Sequence, residues 1–238
     1  MQGYEDLIRQ ELWIWQREMQ SSPGFINRLS KSWQNKVNSW IPEKVHQAVT
    51  TTIKQMIRAV LFGAQYTSPV PLESSSFWAR EAAVKERIDW YQKTASVEGA
   101  VTGAGGLLLG LADFPILLGL KLKLLFDIAS MYGFDVKDYK ERVYILHILE
   151  LAFSSQEHRQ KIYQKIEHWK EKADLLPDDI HQFEWRAFQQ EYRDYLDIAK
   201  LAQLIPVIGA PVGLVVNYRL VRKLGNTAMN AYRMRLLQ

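Results

Sequence analysis

Apolar side chains recur at helical spacing along most of the chain. Tyr4, Ile8, Leu12, Trp15 and Met19 form one stripe while Arg9, Gln10, Arg17 and Glu18 take other faces, which predicts an amphipathic helix ended by Ser22-Pro23-Gly24. Trp33, Val37 and Trp40 make a shorter stripe stopped by Pro42, and Val45, Val49, Ile53, Ile57 and Val60 a more regular one. The prolines of Thr67-Ser68-Pro69-Val70-Pro71 cannot continue a helix. They place a boundary between Trp-rich amphipathic helices at 1–72 and a second helical unit at 73–238. Ser74 to Ser76 supply capping oxygens for a charged helix from Phe77 to about Val97, with opposite-charge pairs such as Glu81–Lys85 four residues apart.

Between Glu98 and Lys121 only Asp113 is charged, and Gly99, Gly103, Gly105, Gly106, Gly110 and Gly119 punctuate the run. A single membrane span needs about 20 apolar residues. Gly99 to Leu120 has the length, but six glycines and Pro115 weaken a helix there, and Asp113 costs about 2.5–3.5 kcal/mol on insertion. A helix pair turned at Asp113-Phe114-Pro115 uses these residues better, with Asp113 as cap and Pro115 in the first turn of the second helix. Lys121 and Lys123 then lay their stems over apolar surface and raise their ammonium groups to water or phosphate. A Leu124, Leu125, Ile128 stripe continues to Tyr132, where Gly133 caps.

Helices follow at about 137–153 and 156–174, divided near Ser154 and Ser155, and Pro177-Asp178-Asp179 starts a long one to about Leu204. Pro206 interrupts a second apolar run, Leu201 to Val216, in which Gly209 and Gly213 lie four apart. A basic, aromatic helix closes the chain. No stretch alternates with period two long enough for a sheet. The fold class is all-α, a multi-helix bundle around glycine-rich apolar helices.

Charge sharpens this picture. The chain has 238 residues and a net charge of +4, yet residues 198–238 carry Lys200, Arg219, Arg222, Lys223, Arg233 and Arg235 with no acid. An anionic partner for the C-terminal end is expected. With no cysteine, disulfide frameworks, thiolate zinc sites and cysteine nucleophiles are excluded, and a reducing cytoplasmic home fits. The first 20 residues, with Glu5, Asp6, Glu11 and Glu18, resemble no secretory signal. Eight Trp and eleven Tyr serve buried packing or a water–membrane boundary.

Catalytic motifs are absent. His46, His147, His158, His168 and His181 are scattered, and His147–Glu150 and Asp178–His181 are single three-residue spacings that suit a helix surface. Neither a serine elbow nor a nucleotide phosphate loop occurs. No catalytic residue, metal or cofactor is therefore predicted. Nucleic acid fits poorly as a partner, since no binding module accompanies the basic tail.

Thr102-Gly103-Ala104-Gly105-Gly106-Leu107 through Ala112-Asp113-Phe114-Pro115, then Ile128-Ala129 with Tyr132-Gly133-Phe134-Asp135, resemble the EcsC protein family. The tail is similar to it as well, from Ile205-Pro206-Val207-Ile208-Gly209-Ala210 through Asn217, then Leu224-Gly225 and Ala228 to Arg233. The likeness spans roughly residues 77–238. Its name comes from a gene that accompanies an ABC-type transporter in Gram-positive bacteria, so the resemblance implies a cytoplasmic or membrane-peripheral accessory role and no reaction.

The leading expectation is a non-enzymatic peripheral protein contacting membrane lipid or a membrane protein. The contact residues expected are Gly103, Gly106, Gly110, Asp113, Pro115, Lys121 and Lys123, with Pro206, Gly209, Gly213, Asn217, Arg219, Arg222 and Lys223. Two alternatives stay open. One is an enzyme acting on a lipid or peptide with Asp113 as buried acid or base. The other is a scaffold that binds a partner through the N-terminal Trp-rich stripe.

Overall fold

The computed structural model describes residues 2–21, 43–62, 75–103, 106–154, 156–195 and 210–237. Trp33, Trp40, the linker at 67–71, Pro206 and Gly209 lie outside the described residues. Nine α-helices and one 3-10 turn make up the regular structure of the described part, without a strand. They are α1 (Gln2–Gln20), α2 (Glu43–Phe62), α3 (Phe77–Gly103), α4 (Gly106–Met131), α5 (Tyr139–Phe153), α6 (Gln156–Glu167), α7 (Trp169–Asp174), α8 (Trp185–Tyr195) and α9 (Ala210–Leu237). The all-α class is thus shown.

The predicted stripes are the buried faces. Ile8, Leu12 and Met19 bury on α1, and Val49, Ile53, Ile57 and Val60 on α2. The helix surrounded on all sides is α5, where Val143 to Phe153 are buried without a break. It contacts α2, α4, α6 and α9. Asp138 caps it by accepting from the Lys140 N–H at 2.9 Å. Ser76 Oγ accepts from the Ala79 N–H to start α3.

The two longest described helices, α3 and α9, run antiparallel: Glu81 meets Arg233, Ile88 meets Gly225, and the Gln92 amide reaches the Tyr218 carbonyl. A Cβ on Gly225 would sit 2.7–2.9 Å from three Ile88 side-chain carbons, so glycine is what permits this approach. Gly133 ends α4 as expected. Its φ of 96° lies in the left-handed region, its N–H donates to Ser130 O, and the Phe134 N–H donates to Ala129 O.

Three expectations are corrected. The chain does not turn at Asp113-Phe114-Pro115: α4 runs through Pro115 as one helix. An interior proline costs about 3 kcal/mol. Phe114, just before the proline, and Leu117, Leu118, Leu122 and Leu125 beyond it are buried along a single face of this helix, and a turn at 113–115 would take Phe114 off that face. Likewise α3 does not stop near Val97 but extends to Gly103, and Pro177-Asp178-Asp179 precedes a 3-10 turn at Ile180–Gln182, with α8 starting only at Trp185. No helix among the described residues is long and apolar enough to cross a membrane.

Candidate functional site

Three buried carboxylates join the long helices, each meeting a tyrosine hydroxyl and a cation. Glu81 on α3 accepts from one edge of the Arg233 guanidinium, Nε at 2.9 Å and Nη2 at 2.6 Å, and from the Tyr132 hydroxyl. Glu141 accepts from Tyr232 at 2.6 Å and Arg235 at 2.7 Å, while that guanidinium lies 3.9 Å over Phe134. Asp127 accepts from Tyr91 at 3.1 Å and from Lys123, with Arg87 at 3.7 Å. Burial would strip charge from Arg233, but the hydrogen bonds and charge of Glu81 win and raise its pKa further above the arginine range. Burial, reinforced by Glu81 and Glu141, pushes the Tyr132 and Tyr232 phenols up.

These networks revise the reading of the basic tail. Arg233 and Arg235 neutralise interior carboxylates, whereas Arg219, Arg222 and Lys223 remain exposed on α9. Glu81 and Lys85, expected as an opposite-charge pair, take different partners. Glu81 is fully buried, and Lys85 reaches the Tyr4 hydroxyl at 3.4 Å. His147 and Glu150 do pair, at 2.8 Å, but inside the core, with the imidazole edge against Trp169 and Phe188.

Lys121 does not raise its ammonium to water either. It is 1% exposed and donates to the Leu117 carbonyl and Asn217 Oδ1, each at 3.2 Å. Lys123, partly buried, is held by Asp127. The lysines lie within tertiary packing, and a helix wheel alone shows no partner helix. Asp113 is half-buried in the interior of α4, and Pro115 is exposed beside it. Gly103 ends α3, Gly106 begins α4, Gly110 lies in its early turns and Gly213 in the first turn of α9; their side surroundings lie outside the described residues.

The predicted residues Arg222 and Lys223 do line a cavity. A cleft of about 680 Å³ opens between α1 and the α3–α9 pair. From α1 come Glu11, Trp15, Glu18 and Met19; from α3 come Lys85, Ile88, Asp89 and Gln92. Tyr218, Asn226, Asn230 and Arg233 join the two predicted cations on the α9 wall. Glu11 accepts from Arg233 at 3.1 Å, fixing α1 over the pair. Such a volume suits a small ligand. No group of histidine and acid side chains that could hold a metal occurs among the described residues.

Of the cleft residues, Arg222 and Lys223 are among those expected from sequence, as lipid or partner contacts and not as part of a cleft, and the others are not. One signal was present. Arg222, Asn226, Asn230 and Arg233 fall on one side of a helix, as do Glu11, Trp15 and Glu18. Trp15 and Met19 read as core positions, because the opposing wall comes from residues about 200 positions away in sequence.

Long antiparallel helices tied by buried acid–tyrosine–cation sets define the class as an all-α protein with a charge-lined cleft between its first helix and its two longest described ones. Within that class the chain belongs to the EcsC protein family, which matches residues 6–237. The match reaches the N-terminal helices, beyond the 77–238 region that carried the resemblance. Over 233 residues the chain is 42% identical to "Protein EcsC" of Bacillus subtilis (strain 168), covering 98% of this chain and 96% of that one. Over 141 residues it is 36% identical to "Uncharacterized protein YdbA" of the same strain, covering 59% of this chain and 52% of that one. No solved structure matches it.

Proposed function

We propose that this chain is a non-enzymatic accessory protein of the cytoplasmic membrane face, resting on lipid beside a membrane protein of the ABC-transporter kind. The family resemblance motivates the transporter. The membrane contact is carried by α9. Val215 and Tyr218, 45% and 40% exposed, share one face with exposed Arg219 and Arg222 at the spacing i, i+3, i+4, i+7. An apolar and aromatic strip beside cations is how an interfacial helix meets anionic headgroups. Each cation near such a surface is worth about 1 kcal/mol.

Flotation with vesicles tests this. Binding to phosphatidylglycerol-containing vesicles is expected, weakening as salt rises. Arg219→Gln and Arg222→Gln each lower the bound-to-free ratio by about fivefold. A protein that stays soluble with neutral and anionic vesicles alike overturns the reading.

A scaffold role keeps one supporting observation, on α1. Leu7, Trp13 and Ile14 stand exposed, 50–55%, away from the buried stripe. If a membrane protein docks there, the double variant Trp13→Ser, Ile14→Ser loses its capture and keeps vesicle flotation. No comparable observation favours Asp113 chemistry, since Asp113 lies outside the cleft.

A further inference from the structure

The cleft separates charge by wall. The α1 wall carries Glu18, Trp15 and Glu11, the last already bonded to Arg233, and the α9 wall carries Arg222 and Lys223 with Asn226. The α3 floor adds one charge of each sign, Lys85 and Asp89. A purely anionic ligand would meet Glu18 and Asp89 as like charges; a purely cationic one would meet Arg222. The complement is a molecule carrying both signs.

We infer that this cleft binds a zwitterionic phospholipid headgroup of the phosphoethanolamine class. The inference rests on the membrane reading above. Arg222 takes the phosphodiester, as a guanidinium takes paired phosphate oxygens. The primary ammonium goes to Glu18 and the face of Trp15, combining a charge-assisted hydrogen bond with a cation–π contact. Choline is the poorer fit, because a quaternary ammonium donates no hydrogen bond to Glu18 and depends on a cage of several rings, whereas the cleft has two aromatic lining residues, Trp15 and Tyr218, one on each of two walls. Tyr218 lines the cleft and is also exposed, and Val215 lies one turn further along α9. The acyl chains therefore leave along the same strip that meets the bilayer.

Flotation of the full chain separates this inference from the membrane reading. Vesicles of phosphatidylcholine, the same with phosphatidylglycerol, and the latter with phosphatidylethanolamine are compared at equal anionic content. Ethanolamine lipid is expected to tighten binding about tenfold. Glu18→Gln, a change at an exposed side chain, should remove that increment and leave the phosphatidylglycerol response intact, and Asp89→Asn should leave most of both. Soluble glycerophosphoethanolamine, titrated by calorimetry without vesicles, should bind, whereas glycerophosphoglycerol should not.

Binding to phosphatidylglycerol vesicles with no ethanolamine increment overturns the headgroup inference and spares the membrane reading. An increment that survives Glu18→Gln also overturns it. If no vesicle is bound, the membrane reading fails and the calorimetric titration decides the cleft: heat with glycerophosphoethanolamine sustains it, and no heat overturns it.

Discussion

Arg233 shows how much one side chain of the C-terminal helix decides. It is almost fully buried, grips Glu81 with two hydrogen bonds and reaches Glu11 on α1, so three helices meet at one guanidinium. Removing one partner of a buried pair leaves the other uncompensated, at about 3–5 kcal/mol. Arg233→Met is therefore expected to lower the urea midpoint of unfolding sharply. The double variant Arg233→Met, Glu81→Met should recover part of the loss, because no charge is then stranded. A loss in the double variant equal to the sum of the two single losses would show that the pair is not coupled. In sequence these residues read as a tail cation and as half of an opposite-charge Glu81–Lys85 pair. Nothing local to residues 81 or 233 reveals that they face each other across 152 positions.

The glycines make the same point at the scale of elements. Gly119 and Gly225 both sit inside helices, where glycine costs roughly 0.5–1 kcal/mol relative to alanine. At Gly119 a Cβ would meet nothing within 4 Å, so Gly119→Ala is expected to stabilise by about that amount. At Gly225 the added Cβ strikes Ile88, and Gly225→Ala should destabilise by about 1–3 kcal/mol through overpacking of α3 against α9. Ile88→Ala removes all three clashing carbons, so the double variant Gly225→Ala, Ile88→Ala should lose less than the sum of the two single losses, which thermal melts measure. The stripes of α1 and α2 were readable because apolar spacing reports a buried face directly. The course of α4 through Pro115 was not, since local propensity opposes it and the burial of Phe114 in line with Leu117 and Leu118 is a tertiary contact.

At the scale of the whole molecule, buried phenols couple the fold to alkaline pH. Burial, aided by Glu81, Glu150 and Glu141 respectively, raises Tyr132, Tyr192 and Tyr232 well above the usual tyrosine value. The folded chain thus keeps protons that the unfolded chain releases above about pH 10. The stability these groups contribute is present below that pH and lost as pH climbs beyond it. Tyrosinate absorbance should rise in two stages, exposed phenols first and these buried ones together with the loss of helical circular dichroism. A single smooth titration completed before unfolding would contradict their burial.

The sequence by itself determined the helical class, the buried stripes of α1 and α2, the Gly133 cap and the family resemblance, because each depends on spacing within one element. It also located Arg219, Arg222 and Lys223 as exposed cations. Tertiary structure alone decided that α4 is unbroken, that Lys121 and Arg233 lie inside, and that Glu11, Glu18 and Asp89 face Arg222 across a cleft. Those outcomes depend on which helices pack together, and a buried charge or an interior proline is tolerated only where another element supplies the compensating contact.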